Sequence, residues 1–174
     1  MKAIKFFAVA ILFSGVSVIS SAQVTNNATT TADVTIIKPI TIVSNQNLEF
    51  GTIAVKGAGT VEITAAGVVT PSTNISLLTT AKSATRQAAK FTITGEPTYK
   101  YSIALADQDG TANVAKLTGA GDPMIVNLIN GKEASANVLA AGDNELFIGG
   151  KLNVASGQLS GAYQGTFKVT VAYE

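Results

Sequence analysis

The chain has 174 residues, with 12 basic and 11 acidic side chains and neither histidine nor cysteine. A net charge of +1 does not give the protein the strongly basic surface that nucleic-acid binding requires, and the lack of cysteine excludes disulfides. Without His or Cys, the sequence also lacks Ser–His and Cys–His catalytic pairs and the usual zinc ligands, so we expect no enzymatic activity, no cofactor and no metal.

Residues 1–22 have the pattern of a signal peptide. Lys2 and Lys5 precede an apolar stretch over residues 6–19, and small residues follow at positions 20–22. The apolar stretch is shorter than the ~20 residues that span a bilayer. We therefore expect cleavage after residue 22, export through the periplasm to the cell surface or medium, and no transmembrane segment in the mature chain.

The mature chain suits one domain. Removing 22 residues from 174 leaves 152, and a chain of that length buries enough surface for a core without disulfides. We expect residues 23–31 to form a flexible polar lead and residues 32–174 to form a single all-β domain.

The first strand is predicted over residues 32–42. Val34 and Ile36 belong to its inward face, because side chains two positions apart lie on the same side of a strand. Pro39 interrupts the pattern and cannot donate to a β-ladder, so we expect an edge strand that kinks there.

Short segments with the same period of two follow along the chain. Phe50 precedes Gly51, a residue that favours a bulge or bend within a strand. Residues 124–126 are apolar at every position, as in a central strand buried on both faces. The pattern predicts about eight to ten strands in a two-sheet antiparallel β-sandwich. The remaining predicted strands lie near residues 48–55, 61–65, 75–77, 91–93, 99–105 and 146–154.

Two segments are candidates for a binding role, but a purely structural interpretation is favoured for each. Residues 81–90 would place three basic side chains on one face of a helix, which suits either an anionic ligand or, as we prefer, a solvated connection. Residues 107–113 begin like a calcium loop but lack its later acidic ligands, so a hairpin turn is favoured.

The clearest pattern lies at the C-terminal end. Phe167, Val169, Val171 and Tyr173 alternate with mostly polar residues, which predicts a half-buried strand with these four side chains facing the core. Such a strand ties this end of the chain into a sheet.

Tyr163 precedes this strand with the spacing Gly161-x-Tyr163-x-Gly165-x-Phe167. The spacing is typical of a tyrosine corner, in which the hydroxyl bonds to backbone upstream in a Greek-key sandwich. We therefore expect Tyr163 and Gly165 to determine the fold and not to bind a ligand.

Segments near both ends resemble the signatures of the bacterial domain-of-unknown-function 4402 family. The first comprises residues 39–42 and 48–53, and the second runs through residues 152–173. That family is similar to spore-coat-U-like and chaperone–usher pilin domains. The resemblance implies an immunoglobulin-like sandwich and an exported surface or fimbrial protein, and it supplies no catalytic residues. Related pilins often carry a disulfide, which this chain lacks.

The leading functional hypothesis is a pilin- or fimbria-like structural subunit that assembles by β-strand addition. Its partners would be copies of itself, related subunits and a periplasmic chaperone. The alternative is a self-complete secreted immunoglobulin-like module that binds a glycan or protein through loops such as residues 131–143. A hydrolase with paired carboxylates is a third, weaker possibility. The residues expected to determine fold and assembly are Val34, Ile36, Phe50, Gly51, Tyr163, Gly165, Phe167, Val169, Val171 and Tyr173.

Overall fold

The computed structural model describes residues 25–79, 85–142 and 144–174. The predicted signal peptide lies outside the described residues. Residues 36–174 form one compact unit, and residues 25–35 belong to a separate one. Residues 25–40 carry no regular secondary structure.

The described residues contain no helix, and every strand pairing is antiparallel, which confirms an all-β fold. Many of the strands are short, which is why their number exceeds the predicted eight to ten. In chain order they are β1 (Thr41–Gln46), β2 (Ile53–Val55), β3 (Gly59–Ile63), β4 (Val69–Pro71), β5 (Ile75–Leu77), β6 (Ala89–Thr94), β7 (Lys100–Asp107), β8 (Val114–Gly119), β9 (Met124–Asn130), β10 (Asn137–Val138), β11 (Asn144–Val154), β12 (Tyr163–Gln164) and β13 (Phe167–Tyr173).

The strands form a large sheet, a small sheet and an isolated pair. The large sheet has the order β1-β6-β11-β9-β8-β12, with β3 on β11 and β4 on β3. The small sheet has the order β10-β7-β13, and β2 pairs with β5. Buried side chains of both sheets form one core, and Phe91 of the large sheet meets Phe167 of the small one edge to face. This arrangement is consistent with the predicted β-sandwich.

The long strand β11 contributes several buried side chains to the core. Leu146, Ile148, Leu152 and Val154 are all buried and share parity across the glycine pair at 149–150, as predicted. A Cβ at residue 149 would collide with the backbone of β3. Glycine at this position therefore lets two strands approach closely in the middle of the sheet.

The prediction for the first strand is wrong in its N-terminal half. The strand begins only at Thr41, and Val34 and Ile36 do not face inward, since they are 86% and 90% exposed. Pro39 contributes to this, because it has no N–H to donate to a β-ladder. The expected edge position is confirmed, as β1 is the outermost strand of the large sheet.

The prediction of a strand buried on both faces at residues 124–126 is partly wrong. Strand β9 is central, lying between β11 and β8. Its outward side chain Ile125 is nevertheless 39% exposed. One face of this antiparallel sheet packs on the core and the other meets solvent, as is common for such sheets.

The helical pattern over residues 81–90 is also wrong where the structure describes it. Residues 85–88 are not helical, and β6 begins at residue 89. The basic side chains do not form a free ridge: Arg86 donates to the carbonyl of Leu78, and Lys90 pairs with Glu145. Residues 80–84 lie outside the described residues.

Candidate functional site

Strand β13 presents an open backbone edge. Its register on β7 runs from Phe167 opposite Asp107 to Tyr173 opposite Tyr101. Just beyond it, the N–H of Glu174 donates to the carbonyl of β7 residue 100 at 3.1 Å. In an antiparallel ladder, alternate residues bond to the same neighbour. The even-numbered residues of β13 therefore bond to β7, and the odd-numbered residues direct their N–H and C=O groups away from it.

The other side of the small sheet is closed. Beyond β10, the carbonyl of Leu105 accepts from the N–H of Asn113 at 2.9 Å, and the N–H of Ile103 donates to the carbonyl of Ala134 at 2.8 Å. The outer side of β13 has no paired strand within the described residues. We call its outward backbone groups the open edge; they belong to Phe167, Val169, Val171 and Tyr173.

The apolar face beside the open edge is only partly covered. On β7, the inward side chains of Tyr101, Ile103 and Leu105 are at most 5% exposed. The inward side chains of β13 are half-buried along its whole length, although they pack against the same core. The predicted alternation of the strand is confirmed. The incomplete burial indicates that the core lacks cover on this side.

A second exposed apolar feature precedes the first strand. Val34 and Ile36 are the most exposed of the large hydrophobic side chains described. They lie two positions apart in a segment without secondary structure, which we call the arm and define as residues 32–36. Alternating hydrophobic residues of this kind suit a segment that adds to the edge of a sheet.

A hydrogen-bonded clasp joins the end of the open edge to the beginning of the compact unit. The hydroxyl of Tyr173 donates to the carbonyl of Lys38 at 2.8 Å and accepts from the N–H of Glu96 at 2.6 Å. The carboxylate of Glu96 accepts from the N–H of Lys38 at 3.2 Å. A side chain on Gly95 would collide with the Tyr173 hydroxyl, so glycine there leaves room for the clasp.

Tyr163 and Gly165 anchor the start of β13. The Tyr163 hydroxyl donates to the carbonyl of Leu159 at 2.9 Å, upstream as a tyrosine corner requires. The backbone of Gly165 lies against the carbonyl of Lys116 on β8, with no room for a Cβ. These contacts fix where the chain leaves β12 and enters the small sheet.

The remaining sequence-predicted residues lie elsewhere. Phe50 is half-buried against the core, and Gly51 has a φ of 67°, a backbone conformation that favours glycine. They form a bend between β1 and β2 and do not contribute to the open edge. Sequence reasoning missed Glu96, which lies in a turn, because no local pattern links it to a tyrosine 77 residues away.

The acidic loop after β7 is a turn. Asp107 is buried, and its carboxylate accepts from the N–H of Thr111 at 2.7 Å. Among the residues that the structure describes, no group of three or more acidic side chains could hold a metal ion. Residues 25–79, 85–142 and 144–174 also contain no helix suited to crossing a membrane.

Comparison with known protein families identifies the domain. The model of a domain of unknown function, DUF4402, matches residues 40–173. The chain belongs to the DUF4402 family. No curated protein matches it. The DUF4402 match includes all of β13 and its open edge, whereas the arm and Lys38 precede the matched region.

Proposed function

We propose that this DUF4402 protein is an exported structural subunit of a bacterial surface fibre, pilin-like in its assembly and without catalytic activity. In this proposal an immunoglobulin-like Greek-key sandwich accepts an added strand at its open edge. The arm of a second copy supplies that strand. A periplasmic chaperone would cover the edge before assembly, and related subunits could join the same fibre. The resemblance to chaperone–usher pilin domains that the sequence leads us to expect motivates this function.

The observation that carries the proposal is the coincidence of the open edge with the partly covered apolar face. An added strand would bond to the outward groups of Val169 and Val171 and would also complete the burial of their side chains. Main-chain hydrogen bonds then give affinity, and alternate side chains give specificity. An exposed edge is otherwise a liability that proteins cover or shorten.

The arm has the pattern that such an edge requires. Residues directly opposite each other in a sheet project to the same face, so a partner of β13 needs apolar side chains two positions apart. Val34 and Ile36 meet this need and are almost fully exposed. Burying two such side chains contributes about 3–6 kcal/mol in total.

The proposal is tested by removing the apolar character of the arm. The double variant Val34→Asp with Ile36→Asp is compared with Thr31→Asp with Thr35→Asp, which adds the same charge at odd-numbered positions in or next to the arm. Sedimentation velocity over a range of concentrations measures assembly, and urea unfolding measures domain stability.

We expect the wild type and the control to form concentration-dependent assemblies. We expect the Val34→Asp/Ile36→Asp variant to stay monomeric with an unchanged urea midpoint, because these side chains are exposed before assembly. A wild type that is monomeric at every concentration would contradict the proposal and favour a self-complete module that binds through its loops. Assembly that survives the double variant would also contradict it.

A further inference from the structure

We infer that Asn130 is a site of spontaneous deamidation, protected while β9 is paired and reactive when the chain is unfolded. Asn130 is the only asparagine in the sequence that is followed by glycine. Glycine has no Cβ to hinder the approach of its backbone nitrogen to the side chain before it. Every other asparagine precedes a residue that carries a Cβ, which slows the same reaction. This inference does not depend on the proposed function.

The reaction needs water as its only co-reactant. The backbone nitrogen of Gly131 loses its proton and bonds to Cγ of Asn130, the bond from Cγ to the side-chain nitrogen breaks, and ammonia leaves with a proton. Water then opens the cyclic imide at either of its carbonyl groups. One opening gives aspartate, and the other gives isoaspartate, in which the main chain runs through the former side chain. The net change consumes one water and releases one ammonia.

The fold holds the attacking nitrogen in a β-ladder. Asn130 pairs with Ile148 on β11, and the next N–H, that of Gly131, donates to the carbonyl of Phe147 at 2.9 Å. The side-chain oxygen Oδ1 of Asn130 accepts from the N–H of Lys132 at 3.3 Å, which holds the side chain in the turn that leaves β9. Attack on Cγ requires the ladder bond to break and the extended backbone of Asn130 to rotate. The reaction therefore waits for this part of the sheet to open.

The packing of the large sheet also requires the glycine that makes Asn130 reactive. A Cβ at residue 131 would collide with the carbonyl oxygen of Phe147 and with the side chain of Ala65. Any other residue would therefore force this end of β9 away from β11. The same close approach accounts for both the reactive dipeptide and its protection in the folded protein.

Conversion to isoaspartate prevents this end of the ladder from forming again. The product carries one additional main-chain carbon between residues 130 and 131, so the N–H of Gly131 no longer lies opposite the carbonyl of Phe147. The pairing register of a strand depends on the spacing of its backbone groups. Deamidation at Asn130 therefore marks chains that have stayed unfolded and hinders their return to the native sheet.

The test compares the rate of conversion in buffer and in guanidinium chloride at the same pH and temperature, with the protein expressed from its full-length sequence. Trypsin releases residues 117–132 as one peptide, and mass spectrometry with chromatography separates its asparagine, aspartate and isoaspartate forms. The same peptide contains Asn127, which precedes leucine and serves as an internal control. Native domains leave about one chain in a thousand or fewer unfolded. We expect Asn130 to react about a thousandfold or more slowly in buffer, and Asn127 to change little in either solution.

A pair of variants separates unfolding of the domain from local fraying at the end of β9. Leu105→Ala removes a buried side chain on β7 of the small sheet, and Leu159→Ala makes the same change at a leucine that is 59% exposed. We expect Leu105→Ala to speed conversion of Asn130 in buffer by about 30-fold or more, up to the rate in guanidinium chloride, because it raises the unfolded population. Leu159→Ala leaves the rate unchanged.

Three results would overturn the inference. The first is a rate for the wild type in buffer within about tenfold of the rate in guanidinium chloride, which would mean that the ladder does not protect Asn130. The second is the absence of conversion in guanidinium chloride, which would mean that Asn130 is not reactive. The third concerns chains refolded after partial conversion: an equal share of isoaspartate in the refolded and the misfolded fractions would show that the product does not hinder folding. We expect isoaspartate to be depleted from the refolded fraction.

Discussion

Among single residues, Tyr101 contributes the most clearly destabilising group to the core, its buried hydroxyl. Its side chain is fully buried, and its hydroxyl has no hydrogen-bond partner among the described residues. A buried hydroxyl without a partner loses its bonds to water and gains none in return. Burial also raises the pKa of Tyr101 above its usual value of 10.0, because the charged phenolate would be desolvated.

We predict that Tyr101→Phe raises the free energy of unfolding by about 1 kcal/mol at neutral pH, since it removes the unpaired group and keeps the ring. Urea unfolding measures this change. The control is Tyr163→Phe, which we expect to lower stability by about 1 kcal/mol because its hydroxyl bonds to Leu159. A Tyr101→Phe protein less stable than the wild type would contradict this prediction.

The same residue predicts an alkaline limit to stability. The pKa of Tyr101 is raised in the folded state, so the unfolded chain releases the tyrosine proton at a lower pH than the folded chain does. The contribution of this difference to the free energy of unfolding is fully present below pH 10.0, the pKa in the unfolded chain. It is lost as the pH rises from there through the folded-state pKa. The stability of the wild type should fall more steeply above that pH than the stability of Tyr101→Phe, as measured by urea unfolding. If both proteins lose stability equally in that range, Tyr101 does not set the limit.

For the secondary-structure elements, local alternation predicted some strands well and others badly. The inward faces of β11 and β13 follow from a period of two, because each strand lies in a sheet that packs one face against the core. The same reasoning failed for residues 32–36, since alternation shows which side chains could share a buried face but not whether a neighbouring strand exists.

The open edge and the clasp could not be predicted from the sequence. The open edge depends on which strands become neighbours of β13, and its partner β7 lies far away in the chain. The clasp depends on a tyrosine hydroxyl that meets the backbone of a residue 135 positions earlier. Neither contact has a local sequence pattern, because both are set by tertiary packing.

The two edges of β13 predict opposite effects of proline at neighbouring positions. The N–H of Val169 points outward, whereas that of Thr170 bonds to Ala104 on β7. We expect Val169→Pro to leave the domain folded but unable to accept a strand, because proline lacks the outward N–H. We expect Thr170→Pro to lower stability by about 3 kcal/mol, because it also breaks the ladder.

Urea unfolding and sedimentation of the two proline variants check this pair. Equal destabilisation by both changes would mean that the two sides of β13 are equally bonded, which would contradict an open edge at Val169.

For the whole molecule, the arm and the open edge are two different surfaces on one chain. A head-to-tail contact between different surfaces gives open filaments unless the rotation closes a ring. Each copy would therefore donate one strand and accept one, and growth would stop only at a copy that lacks one of the two surfaces.

This asymmetry predicts that two defective variants complement each other. The Val34→Asp/Ile36→Asp variant retains the open edge, and Val169→Pro retains the arm. We expect each to be monomeric alone and an equimolar mixture to form a one-to-one complex that grows no further, as measured by sedimentation. A mixture that remains monomeric, or one that forms long assemblies, would contradict head-to-tail strand addition.

The central claim, that β13 has an unfilled outer edge, is tested most directly by residue-resolved amide hydrogen exchange in the dilute wild-type protein and in its assembled form. Exposed, unbonded amides exchange fast, and bonded ones are protected. We predict that Lys168 and Thr170 are protected in both states, whereas Val169 and Val171 exchange fast when dilute and become protected on assembly. Protection of Val169 and Val171 in the dilute monomer would contradict the claim and show that the domain already completes its own sheet.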